Sequence, residues 1–154
     1  MPPMLSHMPV DHHLRPLYRF LTVVTGGYVL LFGIIGVIQT GGGGLFDRAD
    51  VSVLGLRTNL AFALASIVAG AVLIVSVFVG RNVDTTVAFW GGLAFMAAGT
   101  AMMAVLNTSD LNVLNASIAT VVVSFGIGTL LFTAGMYIRS SGRVAQPVAD
   151  AVKA

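Results

Sequence analysis

The sequence contains no cysteine and very little charge. Without Cys, disulfides, Cys-ligated zinc, iron–sulfur clusters and a thiol nucleophile are excluded. Only 9% of the 154 residues are charged, whereas about 25% are charged in an average soluble protein. Since 56% of the residues are hydrophobic and the mean hydropathy is +0.94, the composition is that of an integral membrane protein. The net charge of +2 comes from dispersed basic residues, so nucleic-acid binding is not expected.

Four long stretches contain no Asp, Glu, Lys or Arg, namely 20–46, 58–80, 85–109 and 111–138. A helix that crosses a bilayer needs about 20 apolar residues, and each stretch is long enough. The stretches are apolar all round, which disfavours a soluble helical bundle. We therefore predict an all-α fold, a bundle of four transmembrane helices. The membrane domain is predicted over 17–138, with helices at about 17–38, 60–79, 87–106 and 118–138. The tails are 1–16 and 139–154.

The basic residues predict the orientation of the chain in the membrane. Four crossings leave only Arg48 and Arg57 on one side. The other side carries Arg15, Arg19, Arg81, Arg139, Arg143 and Lys153. Short loops rich in Lys and Arg stay in the cytoplasm, so both termini are predicted to be cytoplasmic in a multi-pass protein of a bacterial plasma membrane.

Small residues recur at helical spacing within three of the spans. In lipid, helices associate mainly where small residues allow close backbone approach. The sequence leaves two interpretations open, which are packing inside the bundle and a docking face for another protein. The residues concerned are Ser66 and Gly70, then Gly91, Ala94, Ala98 and Ala101, and finally Ser124 and Gly128.

A weak internal duplication is also visible. Asn59 and Asn115 stand at the starts of the second and fourth spans, and each is followed eleven residues later by glycine, at Gly70 and Gly126. This pattern suggests two helical hairpins of the same orientation.

Short polar residues gather where the second and fourth spans begin. They are Arg57, Thr58, Asn59, Asp110, Asn112 and Asn115. Such side chains suit helix caps and turns, and Thr58 and Asn59 are predicted to cap the second span. Alternatively, the six residues form one outer polar patch that binds a ligand or partner. The apolar residues of the 45–57 segment predict that it lies on the membrane surface or folds back against the bundle.

The sequence does not indicate phosphate binding, metal binding or catalysis. The glycines at 41–44 lack the Lys-Ser/Thr of a phosphate loop and are interpreted as a turn. His7, His12 and His13 lie in a Pro-rich tail without the pairing of a metal site. The charge-free stretches offer no proton relay and no base beside a serine. We therefore expect no catalytic residue, no cofactor and no metal, and the protein is not expected to be an enzyme.

Three sequence words carry a resemblance to a known family. They are "LYR" at 17–19, "GLRTNLAF" at 55–62 and "LNAS" at 114–117, the last followed by "VVSFGIG". Over roughly residues 12–139 the chain resembles a family of small four-span membrane proteins of unknown function, common in mycobacteria and other actinobacteria. The resemblance implies four helices in a plasma membrane and supplies no catalytic or binding residues.

Two functions from different classes remain. In the first, the protein is a non-catalytic accessory or structural subunit that docks on a larger plasma-membrane complex, respiratory or envelope-related. In the second, it is a homo-oligomeric channel or carrier for a small or lipid-like solute, with Thr and Ser lining the path. The absence of charge within the spans favours the first. Membrane lipids are expected partners in both.

Overall fold

The structure is a computed structural model that describes residues 9–48, 50–108 and 110–141. It contains four helices, α1 Arg15–Thr40, α2 Leu60–Val79, α3 Val83–Val105 and α4 Ile118–Tyr137. A small hairpin of β1 Ser52–Val53 and β2 Leu56–Arg57 precedes α2. All four helices are long and apolar enough to cross a membrane, which confirms that part of the predicted fold.

The helix bounds differ from the predicted spans mainly at α1 and α3. Helix α1 begins at Arg15, with Pro16 in its first turn, where a missing N–H costs nothing. Helix α3 begins at Val83, four residues before the predicted start. Its first turn contains Asp84, whose negative charge suits the positive end of the helix dipole.

The four helices form a ring in chain order. Helix α1 packs most closely on α2, and α3 packs most closely on α4, whereas the α2–α3 and α1–α4 contacts are looser. The described residues before α1, those after α4 and the α2–α3 turn lie at one end of this ring, called the termini end below. The loop end carries the 41–59 and 106–117 connections.

Glycines determine how closely the helices of each pair approach. A Cβ atom added at Gly70 of α2 would lie 2.5 Å from the Leu30 nitrogen of α1. A Cβ at Gly128 of α4 would lie 2.9 Å from the Met96 nitrogen of α3. Only glycine allows the backbones to come this close, as expected for helices that associate in lipid.

The two pairs are equivalent, although in a different register from the predicted one. Gly70 and Gly128 both lie eleven residues after the N-cap residue of their helix, which is Asn59 in α2 and Ser117 in α4. Each glycine faces a glycine of the preceding helix and the residue four positions after it, Gly26 and Leu30 in the first pair and Gly92 and Met96 in the second. The sequence matched Asn115 with Asn59 and Gly126 with Gly70, and both matches are therefore wrong by two residues. A Cβ at Gly126 would meet nothing within 4 Å.

The hairpin folds back against the loop end of the bundle. Val53 and Leu56 are buried and contact Phe32, with partly buried Phe62 and Val123 beside them. The turn residues Leu54 and Gly55 have φ of 50° and 82°, the left-handed conformation that a two-residue hairpin turn requires. Of the two predicted placements for the 45–57 segment, the structure shows contact with the bundle.

Candidate functional site

The predicted small-residue positions on α2 and α4 lie inside the helix pairs. Ser66 and Gly70 are buried on α2, and Ser124 and Gly128 are buried on α4. The Ser66 hydroxyl donates to the Phe62 carbonyl of its own helix, 2.8 Å away, so its polarity is satisfied locally. These four residues belong to internal packing.

The predicted stripe on α3 lies on a different side of its helix. The residues of α3 buried in the bundle include Ala88, Gly92, Gly99 and Met102, and a Cβ at Gly92 would clash with the Phe132 backbone of α4. A Cβ at Gly91, by contrast, would meet only Leu73, at 3.8 Å. The four predicted residues Gly91, Ala94, Ala98 and Ala101 are partly or fully exposed. We call these four residues the α3 outer face.

The α3 outer face leads into a groove at the loop end of the bundle. The groove has a volume of about 210 Å³ and is almost entirely apolar. Its α3 side includes Ala98, Ala101 and Val105, and its other wall is the 111–114 segment. Small side chains on α3 leave this space open.

The predicted outer polar patch is only partly assembled. The Asn59 side chain caps α2 by accepting from the Phe62 N–H at 2.9 Å, and its amide donates to the Val113 carbonyl at 2.6 Å. The Asn115 amide donates to the Thr58 carbonyl at 3.2 Å. Asn59 and Thr58 are each 1% exposed. The polar groups thus join the two loop-end connections. The predicted cap by Asn59 is confirmed, whereas the Thr58 hydroxyl donates to the Asn59 carbonyl.

The other members of the patch lie apart from this buried group. The Asn112 side chain bonds twice to the backbone of Ala116 and so closes its own turn. Arg57 pairs with Asp50 at 2.9 Å on an exposed surface, a kind of ion pair that contributes little stability. Asp110 is exposed. The six residues do not form one binding surface.

A buried ion pair lies at the termini end of the bundle. The Arg19 Nε atom of α1 is 3.1 Å from the Asp84 Oδ2 atom of α3, and the Asp84 side chain is fully buried. Asp84 also accepts the Thr85 N–H through Oδ1 at 3.0 Å. The expectation that the helices hold no ionised group is therefore wrong at this end.

Two arginines of α1 reach the ends of the helices that run antiparallel to it. Arg19 donates through Nη2 to the Val77 carbonyl of α2, and Arg15 donates through Nε to the Ile138 carbonyl after α4, at 2.6 Å. Carbonyls in the last turn of a helix have no partner within the helix and carry partial negative charge. Arg15 and Arg19, four residues apart on α1, thus satisfy carbonyl groups at the ends of α4 and α2.

The described part of the N-terminal tail is tied to the end of α4. Asp11 accepts the Ser141 N–H at 3.3 Å, and the His12 ring lies 4.9 Å from the Tyr137 ring. His13 stacks beside His12 at 4.4 Å, whereas His7 lies outside the described residues, as do Arg143 and Lys153. Within the described residues, no group of three or more His, Asp or Glu is placed to hold a metal ion.

A small cavity lies in the centre of the bundle. All four helices and Leu56 of the hairpin line it, and its volume is about 30 Å³. Among the lining residues are Tyr28, Ser66, Thr120 and Ser124. This space holds about one or two water molecules, so it is too small for a solute.

Comparison with protein-family models, with curated proteins and with solved structures finds no match.

Proposed function

We propose that the protein is a non-catalytic, multi-pass subunit of a bacterial plasma membrane that docks through its α3 outer face on a larger membrane-protein complex. Both termini are in the cytoplasm, because Arg15, Arg19, Arg81 and Arg139 lie at the termini end and short basic segments stay cytoplasmic. The resemblance to the actinobacterial family agrees with this location.

The observation that carries the proposal is a surface of small residues that no described part of the chain fully covers. Inside the bundle, the glycines at 70, 92 and 128 are each covered by the backbone of a neighbouring helix. The α3 outer face has the same character, yet Ala94 and Ala101 are exposed. In lipid such a face gains little from acyl chains and much from the close approach of another helix.

The internal repeat strengthens this argument. When Gly26 is aligned with Gly92, the residues of α3 equivalent to Tyr28, Phe32 and Ile35 of α1 are Ala94, Ala98 and Ala101. In the first half the hairpin covers this face, with buried Phe32 and partly buried Ile35 against Val53 and Leu56. In the second half the residues are alanines, of which Ala98 is partly buried against Met102 and Ala94 and Ala101 are exposed. In the first half the β hairpin thus packs on this face of α1. We propose that a partner protein packs on the equivalent α3 outer face.

A channel or carrier is less well supported. The Ser and Thr hydroxyls proposed to line a path bond back to their own helices at Thr22, Ser66, Ser76 and Thr100. Together with the size of the central cavity, this leaves no solute path through one copy of the described bundle. A carrier would need a path between copies of the chain.

Mild detergent extraction of the tagged protein from its native membranes, followed by mass spectrometry, tests the proposal. We expect a stoichiometric larger membrane protein to be recovered with the wild type and lost with Ala94→Phe or Ala101→Phe, because a large side chain prevents close helix approach. Ala65→Phe is the matched control, since Ala65 is an exposed alanine on α2. Recovery of only a homo-oligomer, or equal loss with the control, would contradict the proposal.

A further inference from the structure

A shallow groove runs along the outward side of α4 towards the termini end. It has a volume of about 510 Å³ and is widely open to its surroundings. Gly126, Thr129 and Thr133 form its floor at helical spacing, and Tyr18 of α1 bounds it. A Cβ at Gly126 would meet nothing within 4 Å, so the absence of a side chain there keeps the groove open without serving contact between the helices.

The hydroxyls in the groove differ from most others in the helices. Thr22, Thr40 and Thr100 donate to carbonyls four residues earlier, which satisfies a hydroxyl in an apolar surrounding. Within the described residues Thr129 and Thr133 make no hydrogen bond of this kind. A groove with two available donors suits a ligand that is mainly apolar and carries hydrogen-bond acceptors.

A cationic side chain lies just past the end of the groove. Arg15 donates through Nε to the Ile138 carbonyl, and Ile138 follows Thr133 by five residues, about 7.5 Å along the axis. Nε makes this bond, and within the described residues the terminal guanidinium nitrogens have no hydrogen-bond partner, so they can face an anion. From the termini end inwards, the groove thus offers the guanidinium group of Arg15, then the hydroxyl groups of Thr133 and Thr129, and then the apolar surface around Gly126.

We propose that this groove binds one phospholipid with an anionic headgroup. An acyl chain lies over Gly126 and Thr129, the ester carbonyls accept from Thr133, and the phosphate faces Arg15. Charge complementarity selects the anionic headgroup, because basic side chains at the ends of transmembrane helices attract anionic lipids. The site is on α4 and is independent of the α3 outer face.

Lipid retention by the purified full chain tests this inference. The protein in neutral detergent receives equal amounts of dioleoyl phosphatidylglycerol and dioleoyl phosphatidylcholine, and native mass spectrometry counts the lipids retained. We expect preferential retention of phosphatidylglycerol. Arg15→Gln should reduce that preference about fivefold, the effect of one basic residue near the surface, whereas Arg15→Lys should keep most of it.

Matched variants separate a specific site from general attraction. Gly126→Leu fills the groove and should abolish retention of phosphatidylglycerol, whereas Gly27→Leu, at another open glycine, should not. Arg81→Gln removes an exposed charge at the same end and should leave the preference unchanged. Equal retention of the two lipids by the wild type, or equal effects of Arg15→Gln and Arg81→Gln, would overturn the inference.

Discussion

At the residue scale, Asp84 is the fully buried member of the ion pair that joins α1 and α3. Its carboxylate is fully buried, and Arg19 is the cation that compensates it, with 31% of the arginine side chain exposed. A buried ion pair contributes modestly when both partners are present, but loss of one partner leaves an uncompensated charge. The two partners are therefore not equivalent, because Arg19 can still reach water.

This asymmetry gives the first prediction. Arg19→Gln should destabilise the bundle by about 3 kcal/mol, because it leaves the Asp84 carboxylate buried without a cation. Asp84→Asn should cost less, and the double variant should be more stable than Arg19→Gln alone. Unfolding by SDS in mixed micelles, followed by circular dichroism, measures all three. An Arg19→Gln variant as stable as the wild type would contradict the account.

Asn59 allows a second test, because one side chain serves two roles. Asn59→Ser keeps a hydroxyl cap for α2 and loses only the bond to the Val113 carbonyl, at a cost of about 1 kcal/mol. Asn59→Ala loses both and should cost about 2 kcal/mol. The same unfolding assay applies. Equal stabilities of the two variants would show that the cap contributes nothing. An Asn59→Ser variant as stable as the wild type would show that the contact between the two connections contributes nothing.

At the element scale, the lengths of the helices follow from the sequence, but their rotation about their own axes does not. A helix that is apolar all round carries no polar stripe to indicate which side faces inward. Gly91 and Gly92 are neighbours in sequence, yet only Gly92 touches the backbone of α4. The sequence could suggest a stripe of small residues on α3, and only the packing shows which stripe is internal.

Glycine substitutions test the helix contacts. Gly70→Ala and Gly128→Ala should each destabilise the protein by about 2–3 kcal/mol, because the new methyl group would overlap a neighbouring backbone. Gly126→Ala should be neutral or stabilising by up to about 1 kcal/mol, since the space is open and Ala favours helix. Unfolding midpoints of the three variants decide the matter. A destabilising Gly126→Ala would restore the register suggested by the sequence alone.

At the scale of the whole molecule, runs without charge are enough to predict four helices. They do not predict that Asp84 lies inside the bundle, because it stands one residue before a charge-free stretch and its burial depends on Arg19, distant in sequence. The internal repeat is likewise weak in the sequence, because any two apolar segments resemble one another by chance. The structure defines the repeat through the equivalent contacts of Gly70 with α1 and of Gly128 with α3.

The proposed topology makes a prediction in intact cells. Because the chain has no Cys, a single cysteine reports its own position. Gly42→Cys at the loop end should react with a membrane-impermeant thiol reagent, and Arg81→Cys at the termini end should react only after the cells are opened. The reverse pattern would place both termini outside.

The most direct test of the account is photo-cross-linking from the α3 outer face in native membranes. A thiol-reactive photo-cross-linker is attached to Ala94→Cys or, as the control, to Ala65→Cys. The account predicts that Ala94→Cys gives one adduct with a larger membrane protein and that Ala65→Cys gives none. No protein adduct from Ala94→Cys, or an adduct only with a second copy of this 16.0 kDa chain, would contradict it.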